Sequence, residues 1–154
     1  MKTHVIFVAP FFLETTLRFV SGSADLPGVA LSVISQDPAE KLPGRLRSRL
    51  AGHWRVENAL DPGQLVGAAR RLSENLGPPH RFLAALEQAQ VPVARAREEL
   101  GVPGLSVDAA LNFRDKSRMK DVLRNAGVPC ARHALAASAA AGSSARVIGR
   151  PTTR

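Results

Sequence analysis

Three cations spaced four apart, Lys116, Lys120 and Arg124, are the side chains of this sequence best arranged for chemistry. On a helix that spacing puts them on one stripe. A lysine ammonium is a compact charge suited to phosphate oxygens. The surrounding residues predict the helix, over 115–126. Asp115 can cap its start, and Met119, Val122, Leu123 and Ala126 form an apolar face. Gly127 is a left-handed stop, and Pro129 forbids continuation. A solvated basic face on a surface helix accounts for the stripe without any ligand. It leaves Lys116 in the first turn, where the positive helix end disfavours a cation. An anion held there would relieve that conflict, because helix terminus and ammonium would converge on it.

Other chemistries are poorly supplied. The turn after the first apolar run is Ala9-Pro-Phe-Phe12, with no glycine to let a backbone approach a pyrophosphate. No Walker-type loop exists: Gly142 and Gly149 stand too far apart, and Arg150 occupies the place of the required lysine. His4, His53, His80 and His133 are scattered, and Cys130-x-x-His133 lacks two further metal ligands. Structural or solvent roles fit these histidines better than metal binding. Gly22-Ser23 has no second glycine at the spacing of a nucleophile elbow.

The positioning elements follow from the apolar pattern. His4–Ala9 is a continuous apolar run suited to the middle of a parallel sheet. Leu13, Leu17 and Val20 then recur at helical spacing, and Gly28–Ser35 is a second strand ended by the turn Gln36-Asp37-Pro38. A short helix over 39–50, broken at Pro43-Gly44, leads to a weak third strand, His53–Val56. Asp61-Pro62 opens a helix with a capping carboxylate and a proline at its first position. Leu65, Val66, Ala69, Leu72 and Leu76 give it an apolar face, and Gly77-Pro78-Pro79 ends it. Arg81–Leu86 reads as a fourth strand, although Ala84-Ala85-Leu86 could equally be helical, and Val91–Leu100 reads as a helix ended by Gly101. Strand–helix alternation of this kind predicts an α/β fold, a parallel sheet with helices on both faces.

At 154 residues the chain can bury a core without disulfide staples. Its lone cysteine, Cys130, suits a reducing cytoplasm. The net charge of +8 raises the question of polyanionic partners, yet no run of five like charges appears and no aromatics interleave with the arginines. A solvated basic surface is the simpler reading, and nucleic acid is disfavoured. Val5–Leu13 mimics the apolar part of a signal peptide, but Pro10, Glu14 and Arg18 interrupt it, favouring a buried strand. No segment reaches the length of a membrane span.

Three stretches in order carry a family resemblance: Leu100-Gly-Val-Pro-Gly-Leu-Ser106, Arg114-Asp115-Lys116, and Met119-Lys120-x-x-Leu123-x-x-Ala126-Gly127-Val128-Pro129. Together they resemble the junction between the pre-ATP-grasp and ATP-grasp domains of biotin carboxylases, carbamoyl phosphate synthetases and carboxylate–amine ligases. Glu87–Leu100 resembles the part preceding that junction in biotin-carboxylase-like members. The likeness implies a Rossmann-like pre-ATP-grasp domain over 1–104 and the start of an ATP-grasp domain over 105–154, with 136–154 loosely held. It implies ATP and Mg2+ as cofactors, and activation of a small carboxylate through an acylphosphate that an amine or thiol then displaces. Lys116 matches the family lysine on the ATP phosphates, and Lys120 is a further candidate for the same contact. Glu87 falls near the substrate side of the first domain.

The resemblance also implies departures. Gly149-Arg150-Pro151 fits the start of the family's next strand, but Thr-Thr-Arg154 follows where that strand and its second phosphate lysine belong. The glycine-rich loop, the adenine pocket and the magnesium carboxylates have no counterpart. The expectation is a truncated, cytoplasmic, catalytically inactive N-terminal fragment of a ligase. Competing readings are a non-catalytic α/β binding module and one subunit of a split enzyme completed by a second, C-terminal polypeptide.

Overall fold

In the computed structural model, residues 2–131 are described. The expectations for His133, for the stretch 136–154 and for Gly142 through Arg154 lie outside the described residues. The chain divides into a compact unit through Ala110 and a second beginning at Leu111.

The first unit is built on four short strands, β1 (Thr3–Val8), β2 (Val29–Ser35), β3 (Gly52–Arg55) and β4 (Arg81–Ala84). All pair in parallel, in the order β3-β2-β1-β4. Parallel neighbours need crossover connections, and the helices α1 (Glu14–Ala24), α2 (Gly44–Arg47) and α3 (Pro62–Leu76) supply them, with α4 (Gln90–Leu100) following β4. The continuous apolar run that predicts a doubly covered central strand is β1, between β2 and β4.

Alternation along β1 sends side chains into two separate cores. Val5 and Phe7 pack with Leu31 and Val33 of β2, Val20 of α1 and Leu46 of α2. Ile6 and Val8 pack with Ile34, Phe82, Leu65 and Leu72 of α3, and Val93 and Ala96 of α4. The α/β fold with helices on both sheet faces is thus the one the pattern predicts. The stretch over 39–50 holds a 3-10 turn at Ala39–Lys41 and then α2, separated at Pro43. The fourth strand ends at Ala84, two residues short of its expected end.

Helix boundaries follow local capping chemistry. The Asp61 carboxylate accepts from the backbone N–H groups of Gly63 (2.8 Å) and Gln64 (3.2 Å) at the start of α3. Gly77, at φ 74°, ends that helix in a conformation that disfavours a side chain. Asp61→Ala should cost about 1 kcal/mol of stability, read as a lower urea midpoint at unchanged slope; an unchanged midpoint would mean that solvent satisfies those amides equally well.

Candidate functional site

The second unit carries the lysine stripe. Helix α5 (Val107–Arg114) crosses the division between the units, and α6 (Lys116–Asn125) follows Asp115. Asp115 has extended backbone, and its carboxylate accepts from the amides of Ser117 (2.9 Å) and Arg118 (3.1 Å). At the far end the Gly127 amide donates to Arg124 O (3.0 Å) and the Val128 amide to Leu123 O (2.9 Å). These two bonds form a Schellman cap around Gly127, whose φ is 73°. The Cys130 thiol reaches back to the Lys120 carbonyl at 3.6 Å.

Lys116 is the first residue of α6 and is exposed; Lys120 follows one turn later and is half-buried. Arg124, the third member, pairs with Asp121 at 3.2 Å. The capping carboxylate has a consequence for the first-turn cation. Asp115 already places a negative charge on the helix start, which offsets the repulsion that Lys116 would otherwise meet. Two of the first-turn amides are also engaged by it. A phosphate at Lys116 would therefore rely on the ammonium more than on the helix terminus.

In the first unit the carboxyl ends of the strands form the other candidate region. Strand order reverses between β1 and β4, and in open α/β sheets such a switch point opens a crevice at the carboxyl edge. The β1–α1 loop, Ala9 to Leu13, borders it on one side, with Phe11 43% exposed. On the other, Glu87 opens the 3-10 turn that follows β4. The β1–α1 loop is tied to the neighbouring turn: the Gln36 amide donates to Pro10 O (3.0 Å) and the Phe12 amide to Asp37 Oδ2 (2.8 Å). Lys41 holds the other Asp37 oxygen at 2.6 Å. Lys41 and the Phe12 amide together keep the Asp37 carboxyl below its ordinary pKa. Sequence reading assigns Gln36-Asp37-Pro38 only to a turn, so Asp37's role as loop brace went unseen; Asp followed by Pro after a strand was the available signal.

Beside this brace, Ser35 Oγ donates to Asp37 O (2.5 Å) and lies 2.8 Å from His53 Nε2. With its proton on the Asp37 carbonyl, Ser35 accepts from Nε2–H. The pair is therefore oriented to hold the loop, and not to activate the hydroxyl as a nucleophile. Burial keeps the His53 pKa below its ordinary value, against the opposing Asp37 backbone bond.

Among the described residues no group of three or more His, Cys, Asp or Glu side chains could hold a metal ion. Mg2+ is commonly held by one or two carboxylates together with phosphate oxygens, and Lys116 and Lys120 are suited to such phosphates as point charges. No described helix is long and apolar enough to cross a membrane.

No family model matches the sequence, and no curated protein matches it. Solved structures resemble the fold, among them two enzymes. The L-amino acid ligase from Bacillus licheniformis aligns with a TM-score of 0.65 at 20% identity, over 83% of this chain and 31% of that one. The phosphoribosylglycinamide synthetase from Anaerococcus prevotii aligns with a TM-score of 0.62 at 14% identity, over 86% of this chain and 31% of its own. At such identities the likeness shows the fold. The chain carries the α/β architecture that the ATP-grasp resemblance implies, and spans 31% of the length of either enzyme.

Proposed function

We propose that this chain is the N-terminal part of an ATP-dependent ligase of the ATP-grasp kind, one that activates a small carboxylate for attack by an amine or thiol. The observation that carries this reading is the coincidence of two independent features. The fold aligns with a ligase and a synthetase over more than four fifths of the chain. The same chain carries Asp115-Lys116 at the head of a cationic helix, where the resemblance expects a phosphate contact.

In this reading Lys116 holds phosphate oxygens of ATP and neutralises their charge, with Lys120 one turn behind it. The β1/β4 crevice, bordered by Phe11 and Glu87, faces the carboxylate substrate. The metal carboxylates and the cover over the phosphates come from residues other than those described, supplied by further sequence or by a second polypeptide.

Two lysines without a covering loop should hold MgATP only at about millimolar Kd, roughly −4 kcal/mol. Calorimetric titration of the 154-residue chain checks this; micromolar affinity abolished by Lys116→Ala would show that the site is complete as it stands. The activity itself is tested by trapping acylphosphate with hydroxylamine across a panel of carboxylates. The expected result is no hydroxamate from the chain alone and ATP-dependent hydroxamate when the polypeptide encoded immediately downstream is added. Lys116→Ala should then lower the rate about 100-fold or more, the scale for removing one charge-stabilising group. Failure of the combined preparation to consume ATP with every carboxylate would overturn the proposal.

A further inference from the structure

Arg97 sits in the last turn of α4, within the first unit, and only 9% of its surface is exposed. Its Nε and Nη2 atoms are buried and have no hydrogen-bond partner among the described residues. These two nitrogens form one edge of the planar guanidinium, and their N–H bonds run parallel, the arrangement that grips a carboxylate with two bonds. The opposite edge lies against the chain at Gly104. A Cβ added there would stand 2.6 Å from Nη1, 2.8 Å from Cδ and 3.0 Å from Cζ. Glycine is thus what allows the backbone to pass over this edge, while the two-pronged edge is directed elsewhere and left unmatched.

A buried charge without a counter-charge or acceptor is strongly unfavourable. Burial accordingly holds the Arg97 pKa below its ordinary value. The cover is lightly fastened. Pro103, Gly104, Leu105 and Ser106 are all exposed, and no backbone N–H of Gly104, Leu105 or Ser106 donates a hydrogen bond among the described residues. Its anchors lie at its two ends: the Val102 amide on Arg97 O (2.9 Å) and the Val107 amide on Glu98 Oε1 (2.8 Å), with Ser106 accepting from the Ala110 amide at its carbonyl (2.9 Å) and from the Ala109 amide at its hydroxyl (3.2 Å).

We propose that the Nε/Nη2 edge of Arg97 is a carboxylate-binding site, presented when the Pro103–Ser106 loop, which packs on the opposite edge at Gly104, lifts and frees the side chain. A monoanionic, planar carboxylate matches the two parallel donors and brings one compensating charge. Glu98 and Glu99, adjacent in sequence, make the neighbourhood unfavourable to a dianion such as phosphate. This site does not rest on the ATP reading, since it uses neither lysine of the stripe.

The test is thermal unfolding of the wild type, Arg97→Met and Arg97→Lys in sodium acetate against sodium chloride at equal ionic strength. In chloride, Arg97→Met should melt several degrees above the wild type, because the unmatched charge is gone. Acetate should raise the wild-type midpoint saturably, leave Arg97→Met unmoved, and act weakly on Arg97→Lys, which keeps the charge but not the fork. The wild-type Arg97 Nε–H resonance, followed by NMR, should shift with acetate along the same saturation curve. A short blocked peptide carrying one glutamate separates the sources: a matching response means that a protein side chain can enter, and acetate alone means a small molecule. A methionine variant melting below the wild type in chloride would overturn the proposal, as would an acetate effect equal in both or a resonance that stays put.

Discussion

Replacing Phe82 by alanine should destabilise the first unit by about 3–5 kcal/mol, the range for deleting a fully buried aromatic side chain. Phe82 has no exposed surface and stands beside Ile6 across the β1–β4 ladder, in the core shared with α3 and α4. It is the only fully buried residue of its four-residue strand: Arg81 and Leu83 are exposed and Ala84 is half-buried. Among the described residues strand β4 pairs with β1 alone, so its hold on the sheet depends chiefly on this ring and a short ladder. Against a total stability of about 5–15 kcal/mol, the loss is large. It should also be local, because β4 is an edge strand, the wall of the sheet beside the switch point. Hydrogen exchange should show the β4 amides losing protection well before those that join β1 to β2. Uniform loss of protection across all four strands would show that Phe82 supports the whole core and not this wall in particular.

What was legible in the sequence was chemistry confined to a few neighbouring residues. Asp61-Pro62 and Gly77 mark the ends of α3 because a carboxylate cap and a left-handed glycine act within one turn. Asp115 and Gly127 do the same for α6. A repetition passed unnoticed: Gly101-Val102-Pro103 and Gly127-Val128-Pro129 close α4 and α6 with the same pair of bonds, Gly101 N–H to Glu98 O and Val102 N–H to Arg97 O in the first case. The three shared residues were the available signal.

What sequence did not reveal depends on residues brought together by the tertiary fold. Gly52 is a case in point, since a Cβ there would stand 2.9 Å from Leu72 Cδ2 and 3.2 Å from Ser32 Oγ. Nothing near position 52 in the chain announces that α3 passes so close. Arg97 likewise reads as one more helix-surface arginine until Gly104 is found lying on it. The brace around Asp37 joins loops that follow two different strands, and no periodicity encodes it. The lysine stripe is the reverse: its spacing is plain, whereas its ligand is a matter for the titrations above.

His4→Leu should cost about 2–6 kcal/mol and remove part of the protein's sensitivity to acid. The side chain is 1% exposed and links three elements. Its Nδ1 lies 2.8 Å from the Gly77 carbonyl, which can only accept, so Nδ1 carries the proton. Nε2 then accepts from the buried Ser32 hydroxyl at 3.1 Å. One neutral ring thereby joins β1, β2 and the end of α3. Leucine fills the space but leaves the Ser32 hydroxyl and the Gly77 carbonyl without partners, at about 1–3 kcal/mol each. The pH dependence follows from the same geometry. Burial lowers the folded-state pKa below the ordinary 6.5, outweighing the Gly77 bond, and His80 lowers it further. Between the lowered value and 6.5 the unfolded chain binds the proton and the folded chain does not, so stability rises with pH in that window. The His4 contribution is complete above pH 6.5, declines as pH falls below it, and levels off once the folded-state pKa is passed. His53, lowered by burial in the same direction, adds to the slope. Urea unfolding at pH 7.5, 6.5 and 5.5 should therefore show the wild type losing stability on acidification more steeply than His4→Leu. Parallel curves would mean that the ring titrates freely in the folded state, which its two buried bonds do not permit.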